Sequence, residues 1–165
     1  MHRSLHGILA AVALVAMTAP VAAAGMVSSV NGVGTGSVAS GGALQPIGDG
    51  RFRVLGREYQ AHLSSDDASA CFRGGLRVSE EAILSVPHYA GSHEGVIDIS
   101  GDAGTLQLRY RGDVNHYEGK GSWLVVRGTG GCADLSGSGT YTSAFLSSGE
   151  PSYRLELHGR VNQGD

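Results

Sequence analysis

Two histidines and a glutamate fall within HYAGSHE, at His88, His93 and Glu94. All three side-chain types ligate divalent metals, and His62, His116 or His158 could complete a set. The spacing follows no established zinc pattern, however. A segment bounded by Pro87 and containing Gly91 would have to double back to bring the ligands together, so a solvated loop is the simpler reading. Asp98, Asp113, Glu118 and Glu156 could supply an acid–base pair for glycoside chemistry. Nothing in the sequence fixes their separation, and ordinary surface acids account for them equally well. No G-x-S-x-G elbow is present for a serine hydrolase. The sequence therefore assigns no catalytic residue, no metal and no other cofactor. Arg111-Gly112-Asp113 spells the tripeptide read by adhesion receptors, but a hairpin turn with a locally bonded aspartate explains it more economically.

The densest run of special residues is GKGSWLVVRGTGGCADLSGSGTYTS, 119–143. A phosphate cradle would present backbone N–H groups at the start of a long helix. Here the glycines lead into TYTSAF, whose β-branched and aromatic residues favour strand. No G-K-[ST] follows. The expected role of the glycines is geometric: Gly128, Gly130 and Gly131 permit positive φ in a turn, Leu135 plugs one end of the core, and Gly137 and Gly139 let the next strand bend.

The elements that must position these residues read as strands. TLQLRYR (105–111) alternates, with Leu106, Leu108 and Tyr110 on one face and Gln107, Arg109 and Arg111 on the other. YRLELHGRV (153–161) does the same, so Leu155 and Leu157 are expected inside and Arg154 and Glu156 outside. Further strand-like runs are Phe52 and Val54, the AHL around His62, Leu76 to Val86, and Val96 to Ile99 closed by Ser100-Gly101-Asp102. SWLVVR (122–127) is apolar on both faces, as in a strand covered on two sides. SEEAIL (79–84) could form a turn or two of helix and SDDASAC (65–71) one turn, neither long enough to cross over a parallel sheet. Residues 25–50 are Gly/Ser-rich with a single charge, Asp49, and read as a flexible lead-in to a domain beginning near Arg51. These signals together predict an all-β protein, a single antiparallel barrel of about eight strands.

The first residues, MHRSLHGILAAVALVAMTAPVAAAG, carry a basic start, an apolar run, a helix-breaking Pro20 and small residues at 22–24. That is the three-part secretory signal, with cleavage expected after Ala24 and a secreted or periplasmic destination. Cleavage removes Arg3 and no acid, taking the net charge from −3 to −4. A mildly acidic chain without a basic cluster is a poor match for nucleic acid. No second long apolar segment offers a membrane span. In an oxidising compartment the two cysteines, Cys71 and Cys132, are expected to form one disulfide, since they lack the C-x-x-C spacing of redox catalysts.

The order strand–VVRGTG–short segment–LSGSGTY–strand, Val125 to Tyr141 led by Trp123, resembles the corner motif of the allene-oxide-cyclase-like barrels, which include the plant dirigent proteins. The upstream TLQLRYRGDVNHYEGKGSW resembles the hairpin that precedes it there, so the likeness spans residues 95–161. Cys132 departs from the pattern. No position matches the acidic and aromatic pocket residues of that family, so its chemistry is not carried over. Independently of the resemblance, Tyr110, Trp123, Tyr141, Phe145 and Tyr153 fall on successive strands, where inside a small barrel they either fill the lumen or line a pocket, with Arg109 and His158 as candidate polar groups. Two functions stay open: a non-catalytic binder of a small apolar ligand or envelope partner, and a dirigent-like or cyclase-like protein that steers a reactive intermediate. A filled core would leave a structural or oligomerising role. The sequence does not set the oligomeric state.

Overall fold

A computed structural model describes residues 26–65, 70–86, 88–146 and 152–164. The signal segment expected over residues 1–24 and part of SDDASAC lie outside the described residues. Nine strands follow in chain order: β1 (Val27–Ser40), β2 (Ala43–Gly48), β3 (Arg51–Ser65), β4 (Gly74–Ser85), β5 (Ala90–Gly101), β6 (Gly104–Asn115), β7 (Glu118–Gly128), β8 (Leu135–Phe145) and β9 (Tyr153–Gln163). Each pairs antiparallel with the next from β3 through β9. β1 pairs with β9 on one edge and with β3 on the other, which closes an eight-stranded barrel; β2 is an extra strand on β3. The all-β, single-barrel expectation holds.

Period-two alternation places the core. Leu106, Leu108 and Tyr110 of β6, and Tyr153, Leu155, Leu157 and Val161 of β9, are buried in the lumen, while Arg154 faces out and Glu156 lies half-exposed beside it. Closure leaves the eight staves no long unpaired edge, which removes the usual hazard of an open sheet.

The lead-in reading does not hold for residues 27–40, which form a full stave of the barrel. Composition argued against order because the segment carries few bulky groups of its own. Its inward glycines instead receive the side chains of neighbouring strands: a Cβ at Gly32 would stand 3.2 Å from Leu63, and one at Gly34 3.7 Å from Leu155. Backbone pairing on both edges supplies the rest.

SEEAIL is not helical but central β4. Arg111-Gly112-Asp113 lies within β6 rather than in a turn, and the hairpin turns three residues later at His116-Tyr117. SWLVVR is covered on one face only: Trp123 is buried, whereas Leu124 and Val126 are about half exposed. Among the described residues no second layer packs outside that wall, so its outer apolar residues meet solvent.

One end of the barrel is sealed. Cys71 and Cys132, each in a short 3-10 turn (Ala70–Phe72 and Gly130–Cys132), form a disulfide with Cα atoms 5.8 Å apart. Beneath it Phe72 packs on Trp123, ring centroids 5.8 Å apart, and Leu135 is buried alongside. In the Gly128–Gly131 turn only Gly130 takes a positive φ, of 61°. Gly128 is required for space instead, because a Cβ there would collide with the carbonyl of Cys132.

Candidate functional site

Towards the other end of the lumen the interior becomes polar. β4 directs Leu76, Val78, Glu80, Ala82 and Leu84 inward, so one glutamate interrupts an apolar face, and Glu80 is only 7% exposed. An isolated buried carboxylate would be strongly disfavoured. Glu80 is instead surrounded by donors from three neighbouring strands. Its Oε1 accepts from the Tyr59 hydroxyl at 3.1 Å and from Arg57 Nη1 at 3.2 Å. Its Oε2 accepts from the Tyr110 hydroxyl at 2.9 Å and lies 2.9 Å from His93 Nδ1. With Nδ1–H donating to Glu80, Nε2 accepts from the Tyr141 hydroxyl at 2.6 Å. Among the described residues no buried side-chain polar atom is left without a partner.

Burial pushes the Glu80 carboxyl up, but the hydrogen bonds from His93 and the Tyr110 hydroxyl, together with the charge of Arg57, outweigh it and hold the group below the usual carboxylate range. Burial, reinforced by the Glu80 charge, raises the phenols of Tyr59, Tyr110 and Tyr141 above their ordinary value, so they remain donors. Desolvation lowers the Arg57 guanidinium, and its interactions with Tyr59 and Glu80 more than reverse this.

Glycines give these rings their space. A Cβ at Gly112 would stand 2.6 Å from the Tyr141 hydroxyl, and one at Gly119 2.6 Å from His93 Cε1. Tyr110 and Tyr141 meet edge to face at 5.0 Å, and Tyr59 stacks on Tyr153 at 4.4 Å.

Above this cluster the barrel opens. β1 loses its β9 neighbour after Gly36, whose partner Tyr153 begins β9. A cavity of about 380 Å³ lies at this mouth. Val38, Leu84, Val114 and Phe145 contribute its apolar walls, Tyr89, His116 and Tyr117 stand on the hairpin turns at its rim, and Arg57 lines it from the lumen side. Tyr89 and His116 have φ of 47° and 55°, and the His116 N–H donates to the Tyr89 carbonyl at 3.2 Å, tying the two rim turns together. Non-glycine residues in this region are uncommon and cluster at functional positions. A wider groove of about 640 Å³ crosses the outer wall beside Glu81, Glu94 and Arg111. Solvated charges line it, and it lacks the apolar enclosure typical of small-molecule sites.

The residues expected from sequence divide sharply. Tyr110, Trp123, Tyr141 and Tyr153 all point inward, but each is 2–3% exposed and packed among other rings. Of the five aromatics only Phe145 lines the mouth. Arg109 and His158 lie on the outer face, exposed, because they occupy the opposite parity of β6 and β9 from the buried residues. His93 and Glu94 are adjacent on β5 and so face opposite sides, and among the described residues no three potential ligands converge on a metal site. Asp98, Asp113, Glu118 and Glu156 also take outward positions. The central acid is Glu80, which sequence reasoning passed over. Reading 76–84 as a strand exposes the signal: Leu, Val, Glu, Ala, Leu on one face.

The fold and site define a small, disulfide-clipped antiparallel β-barrel, sealed at one end and open at the other over a buried acid–imidazole–phenol cluster. No protein-family model matches the chain, and no curated protein is significantly similar to it.

Proposed function

We propose that this is an exported, non-catalytic barrel that binds a small apolar molecule at its open mouth. The observation that carries the reading is the mouth cavity. At about 380 Å³ it falls in the lower part of the range used by small-molecule sites, and its lining is mainly apolar and aromatic. Export is supported by the signal-like first residues and by a disulfide suited to an oxidising compartment. The likeness of Val125–Tyr141 to the allene-oxide-cyclase-like and dirigent-like barrels agrees with a ligand held by barrel shape. A second reading, in which the cavity steers a reactive intermediate, draws on Arg57, an ionisable group at the inner boundary of an apolar space.

Gly41 provides the test, because it lines the cavity and a Cβ there would meet nothing within 4 Å. The expected result is that the apolar fluorophore N-phenyl-1-naphthylamine binds the wild-type protein. Gly41→Trp should weaken that binding roughly tenfold by filling the mouth, with thermal stability unchanged. Equal binding to both proteins would place the fluorophore elsewhere and remove the basis of the proposal.

A further inference from the structure

The charge pattern at the mouth specifies more than an apolar body. Among the described residues lining the cavity there is no carboxylate, while Arg57 and His116 are both present. Arg57 spends Nη1 on Glu80 and on the Tyr59 hydroxyl, at 3.2 and 3.4 Å. Its Nε and Nη2 have no protein partner among the described residues. Glu80 cannot absorb them, since its two oxygens already take Tyr59, Tyr110, His93 and Arg57. The Arg57 side chain is 19% exposed, and its guanidinium carbon sits 6.0 Å from the centroid of Phe145.

A guanidinium held through Nη1 by a buried carboxylate and a phenol, with its other donors beside a cavity, is a preorganised receptor for an oxyanion that can accept from two adjacent N–H groups. Preorganisation matters because a free arginine must lose side-chain freedom on binding, whereas this one is already held. We propose that the ligand of the mouth is an anionic amphiphile, an apolar or aromatic body bearing one carboxylate or sulfonate, and that Arg57 reads the charged group. This rests on the mouth-binding reading above and adds the chemistry of the ligand's polar end. The apolar body packs on Phe145, Leu84 and Val114, and the anion meets Nε and Nη2 of Arg57.

A matched pair of fluorophores separates the two claims. 8-Anilinonaphthalene-1-sulfonate and N-phenyl-1-naphthylamine share an aromatic body and differ in the sulfonate. The expected result is about tenfold tighter binding of the sulfonate, a preference that declines with added salt and vanishes in Arg57→Gln, where binding of the neutral probe persists. Equal affinities, or tighter binding of the neutral probe, would overturn the anion inference and leave the apolar mouth standing. Binding of neither probe would overturn both. A sulfonate preference that survives Arg57→Gln would overturn the role of Arg57. If Arg57→Gln does not fold, displacement of the neutral probe from wild-type protein decides the matter. Octanoate should act at roughly tenfold lower concentration than octanol, and equal potency would overturn the inference.

Discussion

The two ends of this barrel solve opposite problems with the same kind of wall. At the sealed end the lumen is filled by Phe72, Trp123 and Leu135 and clipped by the Cys71–Cys132 bond. At the open end a glutamate and a histidine are buried, three tyrosines hydrogen-bond to them, and an arginine is left beside a cavity. Apolar packing is tolerant of small errors and needs no directional partners, whereas a buried charge demands every partner at once. The sealed end is therefore expected to govern stability, and the open end to govern what binds.

The disulfide offers the largest separation of the two. It closes a loop of 61 residues, for which loop entropy gives about 4 kcal/mol. The paired change Cys71→Ser, Cys132→Ser should lower the urea midpoint accordingly and reduce Tm by on the order of 10–15 °C. Below its unfolding transition the variant should bind N-phenyl-1-naphthylamine as the wild type does. Loss of probe binding with little loss of stability would mean that the sealed end shapes the mouth, and the division of labour would fail.

Glu80→Gln attacks the other end. The amide keeps the shape but removes the charge and turns a donor towards groups that already donate, so the expected loss is about 1–3 kcal/mol at neutral pH. The groups facing Glu80 are Arg57, Tyr59, His93 and Tyr110. Because the folded carboxyl titrates below its ordinary value of 4.5, its contribution is complete above the unfolded-state value and is lost as pH falls through the lower folded one. The stability gap between wild type and Glu80→Gln should thus be constant from neutral pH down to about 5 and close at lower pH. Urea midpoints measured at stepped pH values check this. A gap that stays constant into strong acid would show that folding does not lower the Glu80 carboxyl, and the cluster would not be stabilising its charge.

How much of this was legible in the sequence differs between the same two regions. The sealed end was readable: a disulfide from two cysteines in an export context, Leu135 as a plug, and inward faces on β6 and β9 from alternation. The open end was not. Glu80 sits beside Glu81 in SEEAIL, which read both as part of the strand-like run Leu76 to Val86 and as a possible helical turn, and on a strand only one of the two acids can face outward. β1 was missed for a related reason, since its inward positions are glycines that bury other residues' side chains rather than their own. Arg109 and His158 were misjudged as pocket groups although their own strands' alternation already placed them outside. For Glu80 and β1 the missing information was which neighbour stands opposite, and closure of the barrel supplies it.

The smallest expected effect is the most direct check on the inside–outside contrast. Arg154 and Glu156 form an ion pair on the outer face of β9 with a 2.7 Å contact, shorter than any Glu80 makes, and Arg154 lowers the Glu156 carboxyl below its usual range. Distance alone would rank this pair above Arg57–Glu80. Burial reverses the order: the Arg154 side chain is 49% exposed and Glu156 32%, so water and salt screen the attraction and either partner can be removed without stranding a buried charge. Arg154→Ala should therefore cost no more than ~1 kcal/mol, and that small effect should disappear in high salt, while the cost of Glu80→Gln persists there. Equal costs for the two variants would mean that charge pairing, rather than burial, sets the energetics of this barrel.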